Sequence, residues 1–271
     1  MKNQINKILF EACRQGLDHG VFCGVAAGVS VVRHGVRHRG WFCGGLTRTG
    51  GEGRVVNHAT LFDLASLTKP LCTTICTLHM IEKGILQWNQ SPLGLLGETL
   101  SDDKHQVTIS HLLNHSSGLP AYKPFFEEFS PQMEPRVKNL LIRKIIHQPL
   151  EYRTGERCVY SDLGFILLGA VLEGTTGMRL DRLFGDIVAT PLKLSRQICF
   201  LPVGEIQGRE LNDIAATEQC PWRKKLMQGE VHDEHSWLMG GVAGHAGLFG
   251  EIGGVTTLCE YILDSWKGRI S

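Results

Sequence analysis

Several absences narrow the possibilities before any motif is considered. No apolar stretch reaches the roughly 20 residues needed to cross a bilayer as a helix. No long run of one charge sign occurs and the formal net charge is +1, so nothing argues for nucleic acid. The nine cysteines are odd in number and lack framework spacing, which favours reduced thiols over a disulfide scaffold. Zinc-finger spacing, a P-loop and a convincing G-x-G-x-x-G are missing too, so no cofactor and no metal are expected. The stretch from Met1 to Glu11 interrupts its short apolar patches with charge, unlike a secretory signal, and a cytoplasmic protein is the expectation.

What remains is ordinary globular composition. The 271 residues are 42% hydrophobic and 20% charged, enough for one large domain or two smaller ones. Internal repeats and low-complexity linkers are not evident.

The most informative stretch is Ser66-Leu67-Thr68-Lys69, an S-x-x-K pattern. On a helix, residues three apart share a face, so a Lys ammonium can reach the Ser hydroxyl. A Ser hydroxyl is a poor nucleophile until a neighbour helps remove its proton. About one chance S-x-x-K is expected in a chain of this size, and Ser101-Asp102-Asp103-Lys104 also fits. That second match sits in a polar, charged context and reads as solvated surface. Ser66 is different, because Leu71, Ile75, Leu78 and Ile81 follow at helical spacing and Gly84 is a natural stop.

Along the chain, Ile5, Ile8, Leu9 and Ala12 mark an amphipathic first helix. Residues 21–32 and 36–44 read as a hairpin around Arg33-His34-Gly35. Residues 47–56 form a Gly-rich loop. Thr108 is expected to cap a short helix that ends before Ser117-Gly118-Leu119-Pro120. Further helices are expected over 134–147, from an Asp162 cap to Gly177, over 180–189 and over 254–267. Residues 196–235 look loop-rich. Two clusters suggest metal ligands. Cys72, Cys76 and His79 lie among apolar helix residues and read as core packing. His232-Asp233-Glu234-His235 lacks H-E-x-x-H order and helical periodicity, and reads as a loop at a pocket rim.

The stretch from Phe62 to Lys69 resembles the nucleophile region of penicillin-binding-protein-like serine hydrolases: class C β-lactamases, family VIII carboxylesterases and D-alanyl-D-alanine carboxypeptidase-like proteins. Ile109 to Pro120 is similar to that family's HLLTHTSGLP signature. Tyr160-Ser161-Asp162 resembles its Y-x-N motif, and Pro191-Leu192-Lys193-Leu194 its P-L-G-M. Residues 229–234 and 240–249 resemble later signatures of an esterase-like branch. His245-Ala246-Gly247 also resembles a variant third motif, K-T-G or H-x-G. Because a helical tail follows, it is read as the earlier family segment that precedes a helix.

The resemblance implies an α/β (α+β) fold of serine β-lactamase type: an antiparallel sheet flanked by helices plus a mostly helical subdomain, with the sheet incomplete at the C-terminus. Residues 1–62 would supply the first helix and hairpin, 63–240 the helical subdomain with two motifs, and 241–271 the return segment and terminal helix. Ser66 would be the acylated nucleophile, Lys69 its orienting partner and Tyr160 the general base. Asp162, in the place of the family Asn, and His245 would contact substrate. An ionised Asp only accepts hydrogen bonds, so the usual contact to a substrate amide is altered and pairing with Lys69 becomes available. The expected activity is hydrolysis of a small-molecule ester, β-lactam or small peptide amide through an acyl-enzyme, without nucleic-acid or membrane partners. An alternative is a truncated, catalytically weak or inactive binding remnant prone to self-association. A metal-dependent hydrolase built on His232 to His235 is a third.

Overall fold

A computed structural model describes residues 2–92, 94–97, 102–132 and 136–269. Helix α1 (Lys2–Asp18) leads into β1 (Gly24–Arg33) and β2 (Val36–Gly45). These strands pair antiparallel from Gly24 opposite Gly45 to Arg33 opposite Val36. The two loop residues, His34 and Gly35, both have positive φ, 50° and 76°. That geometry matches the right-handed twist of the flanking strands and closes the hairpin with two residues. Among the described residues β1 and β2 pair only with each other.

A three-stranded antiparallel sheet follows, assembled from distant segments: β3 (Phe62–Asp63), β4 (Ile198–Phe200) and a strand at Leu248–Gly250 that lies between them. Sequence reading missed it, because two- and three-residue strands carry no periodicity. The helical part comprises α2 (Thr74–Glu82), α3 (Ile109–Leu113), α4 (Val137–Ile146), α5 (Asp162–Thr176) and α6 (Leu180–Phe184). Strands β5 (Gln219–Cys220) and β6 (Lys225–Leu226) form a small ribbon, and α7 (Glu234–Leu238) precedes β7, the Leu248–Gly250 strand. Helix α8 (Ile252–Trp266) runs back against β1.

Helix α5 is the centre of the core. Every residue from Leu163 to Leu172 is buried, so it is apolar all round, as a helix surrounded by protein should be. No single helix among the described residues is long and apolar enough to span a membrane. Gly177 ends α5 in the left-handed conformation at φ 68°, as its sequence position suggests. The cap at its other end is a correction. Ser161, not Asp162, is the N-cap and accepts from the Gly164 N–H, which frees the Asp162 carboxylate for other work. Gly169 lets the chain cross closely here: a Cβ on it would lie 2.8 Å from the backbone nitrogen of Gly244.

Other expectations shift in detail. Thr108 caps α3 as expected, with a reciprocal capping box through His111. In α2 the buried face is Cys76, Thr77 and Met80, continued from Cys72 in the turn before it, while Leu78 is exposed. The two cysteines are therefore core, and burial, then Cys76, pushes the Cys72 thiol well up. Of the second S-x-x-K, Ser101 lies outside the described residues, and Lys104 is not solvated. It is buried and its Nζ donates to the Ile146 carbonyl at 2.6 Å. The start of the helix expected over 134–147 also lies outside the described residues, and its described part is α4. Residues 234 and 235, at the end of the stretch read as loop-rich, open α7, because Asp233 caps it by accepting from the Ser236 N–H.

The hairpin is fastened to α8 by charge. The buried Glu260 carboxylate accepts from Arg39 Nε at 2.7 Å, and Arg37 Nη1 lies 3.5 Å away. The hydrogen bond from Arg39 holds the Glu260 carboxyl below its ordinary value. A carboxyl with a depressed folded pKa stabilises above its unfolded pKa, and that contribution is lost as pH falls through the folded value. Glu260→Gln should therefore lower stability by about 1–2 kcal/mol at neutral pH, discounted because Arg39 is half-exposed. The difference from the parent should shrink in acid denaturation series run below pH of about 4. An equal difference at all pH values would contradict the ionic origin.

Candidate active site

The polypeptide makes a tight turn between β3 and the helix that follows. The Leu64 N–H donates to the Leu248 carbonyl at 2.9 Å. Ala65 then adopts φ 45°, a left-handed conformation that costs a non-glycine residue about 1–2 kcal/mol. Two side chains hold it there. Asp63 Oδ1 accepts from the Ala65 N–H at 2.8 Å, and Thr68 Oγ1 donates to the Ala65 carbonyl at 2.7 Å. The turn leaves Ser66 exposed on a short 3-10 segment, Ala65–Leu67.

The helix itself starts late. Lys69–Thr73 is a single π-type turn closed by the Thr74 N–H on the Lys69 carbonyl, and only then does α2 begin. Pro70 lacks an N–H, so the ordinary helical bond back to Ser66 cannot form there. Such wide turns recur at functional sites. Here the turn directs three side chains into the body of the protein. Thr68 Oγ1 accepts from the Leu248 N–H at 3.1 Å, and Thr73 Oγ1 donates to the Gly244 carbonyl at 2.6 Å. Between them Lys69, only 3% exposed, donates to Ser66 Oγ at 3.0 Å, Asp162 Oδ1 at 2.6 Å and the His245 carbonyl at 3.1 Å. An ammonium has three N–H bonds and no acceptor. These three partners use all of them, so in this arrangement Lys69 acts as a donor.

Tyr160 lies across this group. Its ring centre is 4.8 Å from Lys69 Nζ, within the range of a cation–π contact, and the residue is 51% exposed. His115, at φ 61°, stacks on it with ring centres 4.6 Å apart. The His115 Nδ1 accepts from the Ser161 N–H at 3.1 Å, and its carbonyl accepts from the Val159 N–H at 2.9 Å. The backbone is thus held on both sides of Tyr160. Burial, and then the Lys69 charge, hold the His115 imidazole below its ordinary pKa, consistent with its ring nitrogen acting as an acceptor.

Four of the five residues singled out in the sequence therefore gather at one point: Ser66, Lys69, Tyr160 and Asp162. His245 joins them differently from the expectation. Its ring is 1% exposed and lies behind the site, with Nε2 2.7 Å from Asp233 Oδ1, and only its carbonyl faces Lys69. A buried ring is not placed to touch a substrate, so the substrate-contact expectation for this imidazole is corrected. Residues 245–247 are not on a strand, in keeping with their reading as a segment before a helix. Burial works against ionisation of Asp233, but the charge and hydrogen bond of His245 outweigh it and hold that carboxyl well below its usual range.

A scan against family models matches residues 11–250 to the beta-lactamase family. The chain belongs to the beta-lactamase family. Among curated relatives, a putative D-alanyl-D-alanine carboxypeptidase of Escherichia coli (strain K12) is 32% identical over 229 residues, covering 76% of this chain and 51% of the relative. An N-acetylmuramyl-L-alanine amidase of Bacillus subtilis (strain 168) is 32% identical over 230 residues, covering 78% and 51%. The chain thus spans about half the length of the curated relatives it matches. Among solved structures, EstCE1, a hydrolase with promiscuous acyltransferase activity, aligns with a TM-score of 0.72 at 22% identity, covering 96% of this chain and 72% of that one. A class C beta lactamase aligns with a TM-score of 0.71 at 17% identity, covering 96% and 65%. At these identities the structural likeness establishes the beta-lactamase-like fold.

Sequence reasoning missed the supporting residues of this beta-lactamase-family site. Asp63, Thr68 and Thr73 sit inside or beside the quoted motif, yet nothing in their spacing announces that they tie the turn to residues 232–248. Asp63 bridges both sides, since its second oxygen accepts from the His232 N–H at 2.7 Å. Burial raises the Asp63 pKa, partly opposed by those two N–H donors. Asp63→Ala would leave the Ala65 and His232 N–H groups without their acceptor, at a cost of about 1–3 kcal/mol. The expected outcome is a lowered melting temperature together with weaker reaction of Ser66 with an acylating probe, measured below the new transition. Unchanged reactivity would show that the Asp63 bonds do not position the serine.

Proposed function

We propose that the chain is a serine hydrolase that forms a covalent acyl-enzyme on Ser66 and acts on an ester, a β-lactam or a small peptide amide. The observation that carries this reading is the bond from buried Lys69 Nζ to exposed Ser66 Oγ, with Asp162 behind the ammonium. The names of the relatives, a carboxypeptidase and an amidase, agree with acyl-transfer chemistry.

In this reading Ser66 Oγ attacks the substrate carbonyl carbon and its proton passes to Tyr160. The accepting group is the Tyr160 phenolate oxygen, and Lys69 Nζ lies 4.8 Å from the centre of that ring. Lys69 donates to Oγ and stabilises charge developing there, while Asp162 neutralises the buried ammonium. The Ser66 N–H, in a first turn where no intrahelical acceptor exists, is the oxyanion donor from this segment. Collapse of the tetrahedral intermediate breaks the bond to the leaving group, which takes the proton from Tyr160. Water then attacks the ester and the steps repeat in reverse order, freeing the acid and Ser66.

A second reading, a non-catalytic binding remnant, is favoured by the two-stranded β1–β2 sheet, which offers no neighbouring strand among the described residues to supply a second oxyanion donor. Loss of one such donor typically costs about 10²–10³ in turnover. All nine cysteines are free, which suits a reducing compartment such as the cytoplasm.

Intact-protein mass spectrometry after exposure to a fluorophosphonate and, separately, a penicillin separates the two. A single adduct is expected, absent in Ser66→Ala. Lys69→Ala and Tyr160→Phe should each slow acylation by at least about 10²-fold, and the double variant should be little worse than either, because the two serve one proton transfer. Adduct formation that persists in Ser66→Ala, or wild-type rates in Tyr160→Phe, would reject the assignment.

A further inference from the structure

Behind the Lys69 site lies a second group of chemistry-bearing side chains. Asp233 caps α7, His235 stands in its first turn, and the segment after α7 brings back His245. One ligand atom from each of the three lies within 4.8 Å of the others. Both imidazoles are 1% exposed. Neither nitrogen of the His235 ring has a hydrogen-bond partner, and Nδ1 of His245 has none either. Such groups are costly to bury unsatisfied, by about 1–3 kcal/mol each, and native interiors rarely leave them so. The surrounding side chains offer no remedy: Tyr122, Phe125 and Phe126 pack their rings 5.4, 6.0 and 5.8 Å from that of His235. Buried imidazole nitrogens facing a carboxylate, inside an aromatic wall, form a donor set of two nitrogens and one oxygen.

We propose that Asp233, His235 and His245 bind a divalent transition-metal ion of the zinc type. Two imidazoles and a carboxylate suit Zn²⁺, with a fourth position left for water. Bonds of about 2.0–2.2 Å put ligand atoms roughly 3.3 Å apart, so the group would close from its spread of up to 4.8 Å while the His245–Asp233 pair opens from 2.7 Å. Asp233, 23% exposed at its side chain, gives the route of entry. The ion would also steady the Lys69 site, because His245 would be held by its ring while its carbonyl accepts from Lys69. The ligand set differs from the one suggested by His232-Asp233-Glu234-His235 as a string. His232 turns outward to Glu218, 3.2 Å away, and is replaced by His245 from ten residues beyond His235. A neighbouring cluster of Glu218, Cys220 and Glu234 is less suited, since Arg223 Nε already lies 3.2 Å from the Cys220 sulfur.

The test is titration of the chelator-stripped full chain with Zn²⁺ and with Co²⁺. One ion per chain is expected, with a rise in melting temperature. The Co²⁺ form should show the visible bands of a tetrahedral nitrogen–oxygen site and no thiolate charge-transfer band. His235→Gln and His245→Gln should each weaken binding by at least about 100-fold, and His232→Gln should leave it unchanged. Absence of binding to the parent protein would overturn the proposal. So would a thiolate band, which would place the ion on the cysteines, or undiminished affinity in folded His235→Gln and His245→Gln. Should a variant fail to fold, the cobalt spectrum of the parent decides alone.

Discussion

Lys69 is the point on which the site depends. A buried ammonium is tolerated only where its charge is balanced and its protons are all taken. Asp162 supplies the charge, and Ser66 and the His245 carbonyl complete the set. One cation therefore joins three distant parts of the chain: the Ser66 turn, the first residue of the core helix and the segment before the last strand. Removing Asp162 alone would leave a buried positive charge unbalanced, so the two residues stand or fall together.

The rest of the neighbourhood makes that junction rigid. The left-handed Ala65 is locked by Asp63 and Thr68, and the π-type turn forced by Pro70 aims Thr73 at the Gly244 carbonyl. Glycines at 169 and 244 permit the core helix to lie directly against that segment, with no side chain between the two backbones. Close packing of this kind is nearly incompressible and holds atoms to fractions of an ångström. Precision of that order is what positioned acid–base groups require.

Much of this was legible in the sequence, for physical reasons that differ by element. Helices with capping residues and stop glycines, such as α3 and α5, announce themselves locally. The hairpin does so through a first strand rich in small and β-branched residues and the turn at Arg33-His34-Gly35. Ser66 and Lys69 stood out through the S-x-x-K spacing on a helix, and Tyr160 and Asp162 through the resemblance of residues 160–162 to the family's Y-x-N motif. The three-stranded sheet was hidden, because its strands are two or three residues long and pair across about 50 residues, Ile198 with Gly250, and about 190, Phe62 with Gly250, and pairing at such range leaves no local trace. The burial of Lys104 and of the His245 ring was hidden for a related reason: a polar residue in a polar context reads as surface until tertiary packing encloses it. Helix α7 was masked because its cap, Asp233, was read as part of a histidine-rich loop.

Tyr160 and Asp162 stand two residues apart, yet their surroundings differ. Asp162 opens the helix whose amides lie deepest in the core, and such amides exchange with solvent only when the whole domain opens. Its carboxylate should keep its place on any timescale shorter than global unfolding. The Tyr160 backbone is equally pinned, by His115 on either side, but its phenol stands half in water, packed against the His115 ring and the Lys69 ammonium. The junction thus pairs a charge fixed by the core with a ring held at the water boundary.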